Sequence, residues 1–150
     1  MSEIDFNQMN FLNQVKECFA CEEKDIRTYS PLALAYIGDA VYDLIIRSVV
    51  VERANRSAND LHRATVQYVK AAAQAQIIDA LLPLLTEEEE AVYRRGRNAN
   101  PHTVAKNATR SDYRKATGFE ALVGFLYLTG QFDRMFSLVK QGIELSRKEQ

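Results

Sequence analysis

Apolar residues recur along most of this chain at the three-to-four spacing of an α-helix, and the alternation expected of strands is absent. Phe6, Met9, Leu12, Val15 and Phe19 place a first helix between about Phe6 and Glu22. Ser30-Pro31 offers a cap followed by proline at the first helical position, so a second helix runs from there to near Val51. The stretch from about Asn59 to Leu82 is rich in alanine, glutamine and leucine and reads as one long helix that ends at a Pro83 bend. Thr86 with Glu89 forms a capping box, and Glu87 to Glu90 suit the positive end of a helix dipole. The least periodic segment, Gly96 to Ser111, reads as a loop. Ser111 or Asp112 then caps a helix that Gly130 ends, and a last helix spans about Gln131 to Arg147. The expectation is an all-α bundle.

One position breaks this pattern. In "AYIGDAVYD" the second helix carries Gly38-Asp39 in its middle, where glycine costs roughly 1 kcal/mol and a buried aspartate needs a partner. The helical neighbours of Asp39 are Ala35, Tyr36, Tyr42 and Asp43, then Leu32 and Ile46. Glu120, in "ATGFEALVGFLYL", has Ala116, Thr117, Val123, Gly124 and Tyr127 on its face. Both acids are therefore expected where helices pack. Each has a glycine close by, Gly38 or Gly124, so two helices crossing there would bring the carboxylates together. Crowded carboxylates are relieved by a proton or a cation. A hard divalent ion such as Mg²⁺ takes carboxylate oxygen and keeps waters. The plainer alternative is a structural Asp39 bonded to Arg47.

Composition narrows the class without naming a partner. The chain has 150 residues, is 47% hydrophobic and carries a formal net charge of −1. These values suggest a single domain, residues 1–150. The polar start "MSEIDFNQMN" does not resemble a secretory signal, so a cytoplasmic location is expected. No run of eighteen apolar residues occurs, and no membrane association is expected. Cys18 and Cys21 form a C-x-x-C, but only His62 and His102 could join them at a metal, and no α/β pattern surrounds them. Two free thiols on a helix is the favoured reading.

Charge is distributed unevenly. From Arg94 to Lys115 there are seven Lys/Arg and one acid, Asp112, for a segment charge of +6, which leaves −7 elsewhere. Arg94, Arg95, Arg97, Asn98, Lys106, Asn107, Arg110 and Arg114 mix cations with hydrogen-bonding groups, as contacts to a phosphate backbone do. The competing reading is a solvated surface loop.

The motifs "LALAYIGDAVYDLIIR", "TEEEEAVYRRGRNAN" and "YRKATGFEALVGFLYL" together resemble the Mini-ribonuclease III family, whose members carry a ribonuclease III catalytic domain without a separate double-stranded-RNA-binding domain. The resemblance covers about Pro31 to the last helix and leaves 1–28 as an N-terminal helical extension. It implies a ribonuclease III-like helical bundle and a homodimer. It also implies Mg²⁺-dependent cutting of double-stranded RNA to leave 5′-phosphates, with the 23S ribosomal RNA precursor stem as substrate. Asp39 and Glu120 match the family's metal-binding acids, and Tyr36 matches an aromatic dimer contact, its alternative being a core tyrosine. Two further acids of the wider ribonuclease III pattern are Ala35 and Thr117 here, so waters or Asp43 would complete the metal shell. The rival readings are a ribonuclease III-like protein that binds structured RNA without cutting it, and a helical scaffold.

Overall fold

The computed structural model describes residues 10–99 and 109–148. Among these it contains α1 (Phe11–Cys18), α2 (Pro31–Arg53), α3 (Ala58–Val69), α4 (Ala71–Leu81), α5 (Glu87–Asn98), α6 (Arg110–Leu128) and α7 (Phe132–Lys148), and no strand. Short 3₁₀ turns occupy Ile26–Thr28 and Leu82–Leu84. No helix among the described residues is long and apolar enough to cross a membrane.

Helix α6 is the centre. Residues 116–119 and 121–126 are all buried, a pattern typical of a helix surrounded by others. Helices α2, α5 and α4 enclose it, and α7 packs on α4. Within that run only Glu120 keeps partial access to solvent. The crossing of α2 over α6 is built on glycine. A Cβ on Gly38 would overlap the carbonyl oxygen of Glu120, and one on Gly124 would overlap that of Leu34. The two backbones therefore touch, and the mid-helix glycine cost is offset by contact available to no larger residue.

Several boundaries differ from those read in the sequence. The stretch expected as one helix from Asn59 to Leu82 is divided at Lys70, which is extended (ψ 151°). The break leaves carbonyls without helical partners, and side chains take two of them. The Tyr42 hydroxyl donates to Tyr68 O at 2.8 Å, and Gln74 Nε2 donates to Val69 O at 2.8 Å. Helix α5 continues past Gly96, where the sequence pattern predicts a loop; the glycine instead admits α6, since a Cβ there would lie 2.7 Å from the Ala121 Cβ. Thr109, not Ser111 or Asp112, caps α6, its hydroxyl accepting from Asp112 N–H. Helix α2 continues two residues beyond Val51, to Arg53.

Helix α1 stops at Cys18, short of Glu22. Ala20 adopts a left-handed conformation (φ 51°), and Cys21 N–H returns to Lys16 O at 2.9 Å. That closing turn ends the helix. Cys18 and Cys21 are both exposed and free, but only Cys18 lies on the helix. Phe6 and Met9 fall outside the described residues.

The capping box at Thr86 is present, and its Glu89 also takes two 2.9 Å hydrogen bonds from Arg134. This ion pair, buried on the Glu89 side and half-buried at Arg134, locks the start of α5 to α7. The Arg134 guanidinium holds the Glu89 carboxyl below its ordinary range.

Candidate active site

Asp39 and Glu120 meet at the glycine crossing. Gly38 precedes Asp39 on α2 and abuts the backbone of Glu120 on α6, so one contact sets both side chains. They are not equally buried, contrary to the sequence expectation that both acids face packed helices. Asp39 is exposed at the rim, whereas Glu120 is half-buried. Burial pushes the Glu120 carboxyl up from 4.5 to about 9. The neighbouring Asp39 carboxylate adds to the shift by repulsion and by accepting a hydrogen bond from the protonated form. Glu120 thus keeps its proton near neutrality.

This arrangement has a measurable pH signature. Glu120 gives up its proton near pH 4.5 in the unfolded chain and near pH 9 in the folded one. Between those values the folded state binds more protons, so stability of the cation-free protein should fall as pH rises through that window. Glu120→Gln should flatten the fall in denaturant titrations at successive pH values. An unchanged slope would place the titrating group elsewhere.

Other acids do not join the pair. Arg47, the candidate partner of Asp39, instead bonds Asp43, with Nε 2.8 Å from Oδ2. Asp43 is therefore already occupied by a guanidinium. Ala35 and Thr117 are both buried, and the Thr117 hydroxyl donates to Tyr113 O at 3.0 Å within its own helix. Among the described residues no third His, Cys, Asp or Glu gathers into a metal-binding group. Two adjacent carboxylates, one open to solvent, fit a hard divalent ion that keeps several waters.

Behind the carboxylates, Tyr42 is almost fully buried, one turn after Asp39 on α2. Its ring meets Phe119 edge-on at 5.1 Å between centroids. Burial drives its phenol well above the ordinary tyrosine range, so the hydroxyl remains a donor.

The basic segment divides in two. Arg97, Asn98, Arg110, Ser111, Arg114 and Lys115 line a cleft of about 400 Å³ where α5 ends and α6 begins. Arg114 fixes its shape by donating to Arg97 O at 3.0 Å and to Asn98 Oδ1 at 3.5 Å. Arg94 and Arg95 face a separate hollow with Ser30, Pro31 and Leu32, and Arg94 is paired with Glu90 at 2.9 Å. Lys115 is bound to Asp79 at 3.0 Å. Lys106 and Asn107 lie outside the described residues, as does His102. Ser111, which the sequence reading treated only as a cap, lines the cleft from the first turn of α6; that placement was its only signal. Arg114 precedes Glu120 by six residues, about 9 Å along the helix.

Tyr36 is 83% exposed, which excludes the core reading of this residue. It shares the outer face of α2 with exposed Leu32 and Leu44.

The Ribonuclease III domain model matches residues 32–131. A Mini-ribonuclease 3 of Thermoanaerobacter sp. is 46% identical over 123 residues, covering 82% of this chain and 87% of that protein. Another, from Enterococcus faecalis, is 49% identical over 118 residues, covering 77% and 89% respectively. A crystal structure of a Fusobacterium nucleatum protein superimposes with a TM-score of 0.74 at 30% identity, covering 81% of this chain and 98% of that one. By sequence, this chain belongs to the Mini-ribonuclease 3 family of ribonuclease III-domain proteins.

Proposed function

We propose that this ribonuclease is a Mg²⁺-dependent endonuclease for double-stranded RNA, with Asp39 and Glu120 as its metal-holding catalytic pair. The carrying observation is the meeting of those two carboxylates at the α2–α6 crossing, on the helix that also lines the basic cleft. A protein that only bound RNA would gain nothing from two acids near phosphate, where each would repel. Asp39 and Glu120 would hold Mg²⁺ there, and the ion would supply an acidified water and positive charge opposite the phosphate. To serve as a ligand, Glu120 would have to give up the proton that burial helps it keep. Arg97, Asn98, Arg110 and Arg114 grip the strand through its phosphates, a mode suited to A-form RNA, which is read by shape. Lys106 and Asn107 extend that grip, and Arg94 and Arg95 offer a second contact beside the start of α2. Hydrolysis adds hydroxide to phosphorus and breaks the bond to the 3′ oxygen, which takes the proton. The products are a 5′-phosphate and a 3′-hydroxyl.

A duplex has two strands, and one protomer offers one carboxylate pair. A homodimer joined through the outer face of α2 would present two. Tyr36→Ala is expected to turn the protein monomeric in light scattering at micromolar concentration; a persistent dimer would remove Tyr36 from the interface. The paired ends of the 23S ribosomal RNA precursor, in the cytoplasm, supply a substrate of the right kind. The 150 residues form one catalytic domain, with residues 1–28 as its extension. The direct test is incubation of a long RNA duplex with the protein and Mg²⁺, with and without a chelator. Metal-dependent cutting supports the reading, and binding without cutting would leave a ribonuclease-like RNA binder.

A further inference from the structure

We infer that Tyr42 is a positioning residue for the carboxylate pair, its hydroxyl bond to Tyr68 O fixing the α2–α6 crossing from behind. The inference rests on the reading of Asp39 and Glu120 as cation ligands. Tyr42 is 1% exposed and joins its own helix α2 to α3 and α6. Its hydroxyl reaches the α3–α4 break at Tyr68 O (2.8 Å), and its ring stands edge-on to Phe119, the residue before Glu120. The Tyr68 ring in turn lies under the Arg147 guanidinium of α7, 4.2 Å from its carbon to the ring centroid. The hydroxyl therefore ties α2 to α3, the ring ties α2 to α6 beside Glu120, and Tyr68 carries the connection on to α7.

Losing the hydroxyl would leave the part-buried Tyr68 carbonyl without its donor, and the chain relieves such a loss by shifting. A shift of α2 relative to α6 would part Asp39 from Glu120, and ligand geometry tolerates only about 0.5 Å. Gln74 provides a second donor at the same break, although its own buried Oε1 has no hydrogen-bond partner among the described residues. It is also buried, and it also satisfies a carbonyl of the same break, Val69 O at 2.8 Å, but it sits on α4 and makes no contact with Phe119 through an aromatic pair. If the break mattered only for folding, cation affinity would not depend on which of the two donors was removed.

Mn²⁺, an oxygen-seeking stand-in for Mg²⁺, should be titrated by calorimetry into the full-length wild type, Tyr42→Phe and Gln74→Leu, with thermal unfolding measured for each. We expect Tyr42→Phe to weaken Mn²⁺ binding about tenfold, the scale of residues that orient metal ligands, and Gln74→Leu to keep the wild-type affinity. Equal effects of the two substitutions, or wild-type affinity in Tyr42→Phe, would overturn the positioning role alone. A wild type that takes up no Mn²⁺ would overturn the cation reading of the carboxylates, and the inference with it.

Discussion

Glu120→Gln is expected to lower duplex RNA cleavage by about 10³-fold or more while leaving the protein folded. Glutamine keeps the length of the side chain and can still donate to Asp39, but it cannot give the negative charge that a cation requires. Asp39→Asn should lose activity on the same scale, since each carboxylate supplies what the other cannot. Stability should move the other way. Wild-type Glu120 carries a carboxyl pushed to about 9 by burial and by Asp39, so at pH 8 its ionisation is opposed by the fold. The neutral amide has no such opposition, and the variant should unfold at or above the wild-type temperature in the absence of divalent ions. Activity lost with stability kept is the mark of a functional carboxylate. A scaffold role predicts the reverse, and a stable Glu120→Gln protein that cuts at the wild-type rate would remove Glu120 from the chemistry.

The second large effect is on folding. In an ordinary helix interior, replacing glycine with alanine stabilises by about 1 kcal/mol. Gly38→Ala should destabilise instead, by about 3 kcal/mol or more. The new Cβ would overlap the Glu120 carbonyl oxygen and lie 2.8 Å from Gly124 N, so what must yield is the backbone of the most buried helix. For a chain of this size the change corresponds to a fall of roughly 10 °C in Tm. Thermal or urea unfolding would measure it. Cleavage should suffer even below the transition, because parting the helices parts Asp39 from Glu120. An unchanged Tm would mean that the crossing can widen without loss, and that the glycine pair is not what sets the carboxylates.

The sequence disclosed those elements whose signals are local. Ser30-Pro31 and the Thr86–Glu89 box mark the starts of α2 and α5, and both hold in the fold. The α3–α4 break at Lys70 had no such signal. Its surroundings are good helix formers, and the break is supported by Tyr42, twenty-six residues from its acceptor. Gly96 misled for the opposite reason. Glycine usually punctuates a helix, but here its missing side chain admits α6, a contact that no local pattern encodes. The carboxylate pair was legible because each acid stands near a small residue on an apolar face. Their unequal exposure was not, since it depends on how α2 tilts across α6. Nor was the Asp43–Arg47 bond, which removes Asp43 from the set of free acids.

The burial of α6 among α2, α4 and α5 gives the proposed reaction a ruler. Arg110 and Arg114 near its exposed end and Glu120 in its packed middle are graduations on a single helix. A strand gripped at the arginines meets the acid at a set offset, whatever its bases are. The place of the cut would then be counted off from where the duplex is held, and changes in the surrounding loops would alter which RNA is admitted without moving the blade.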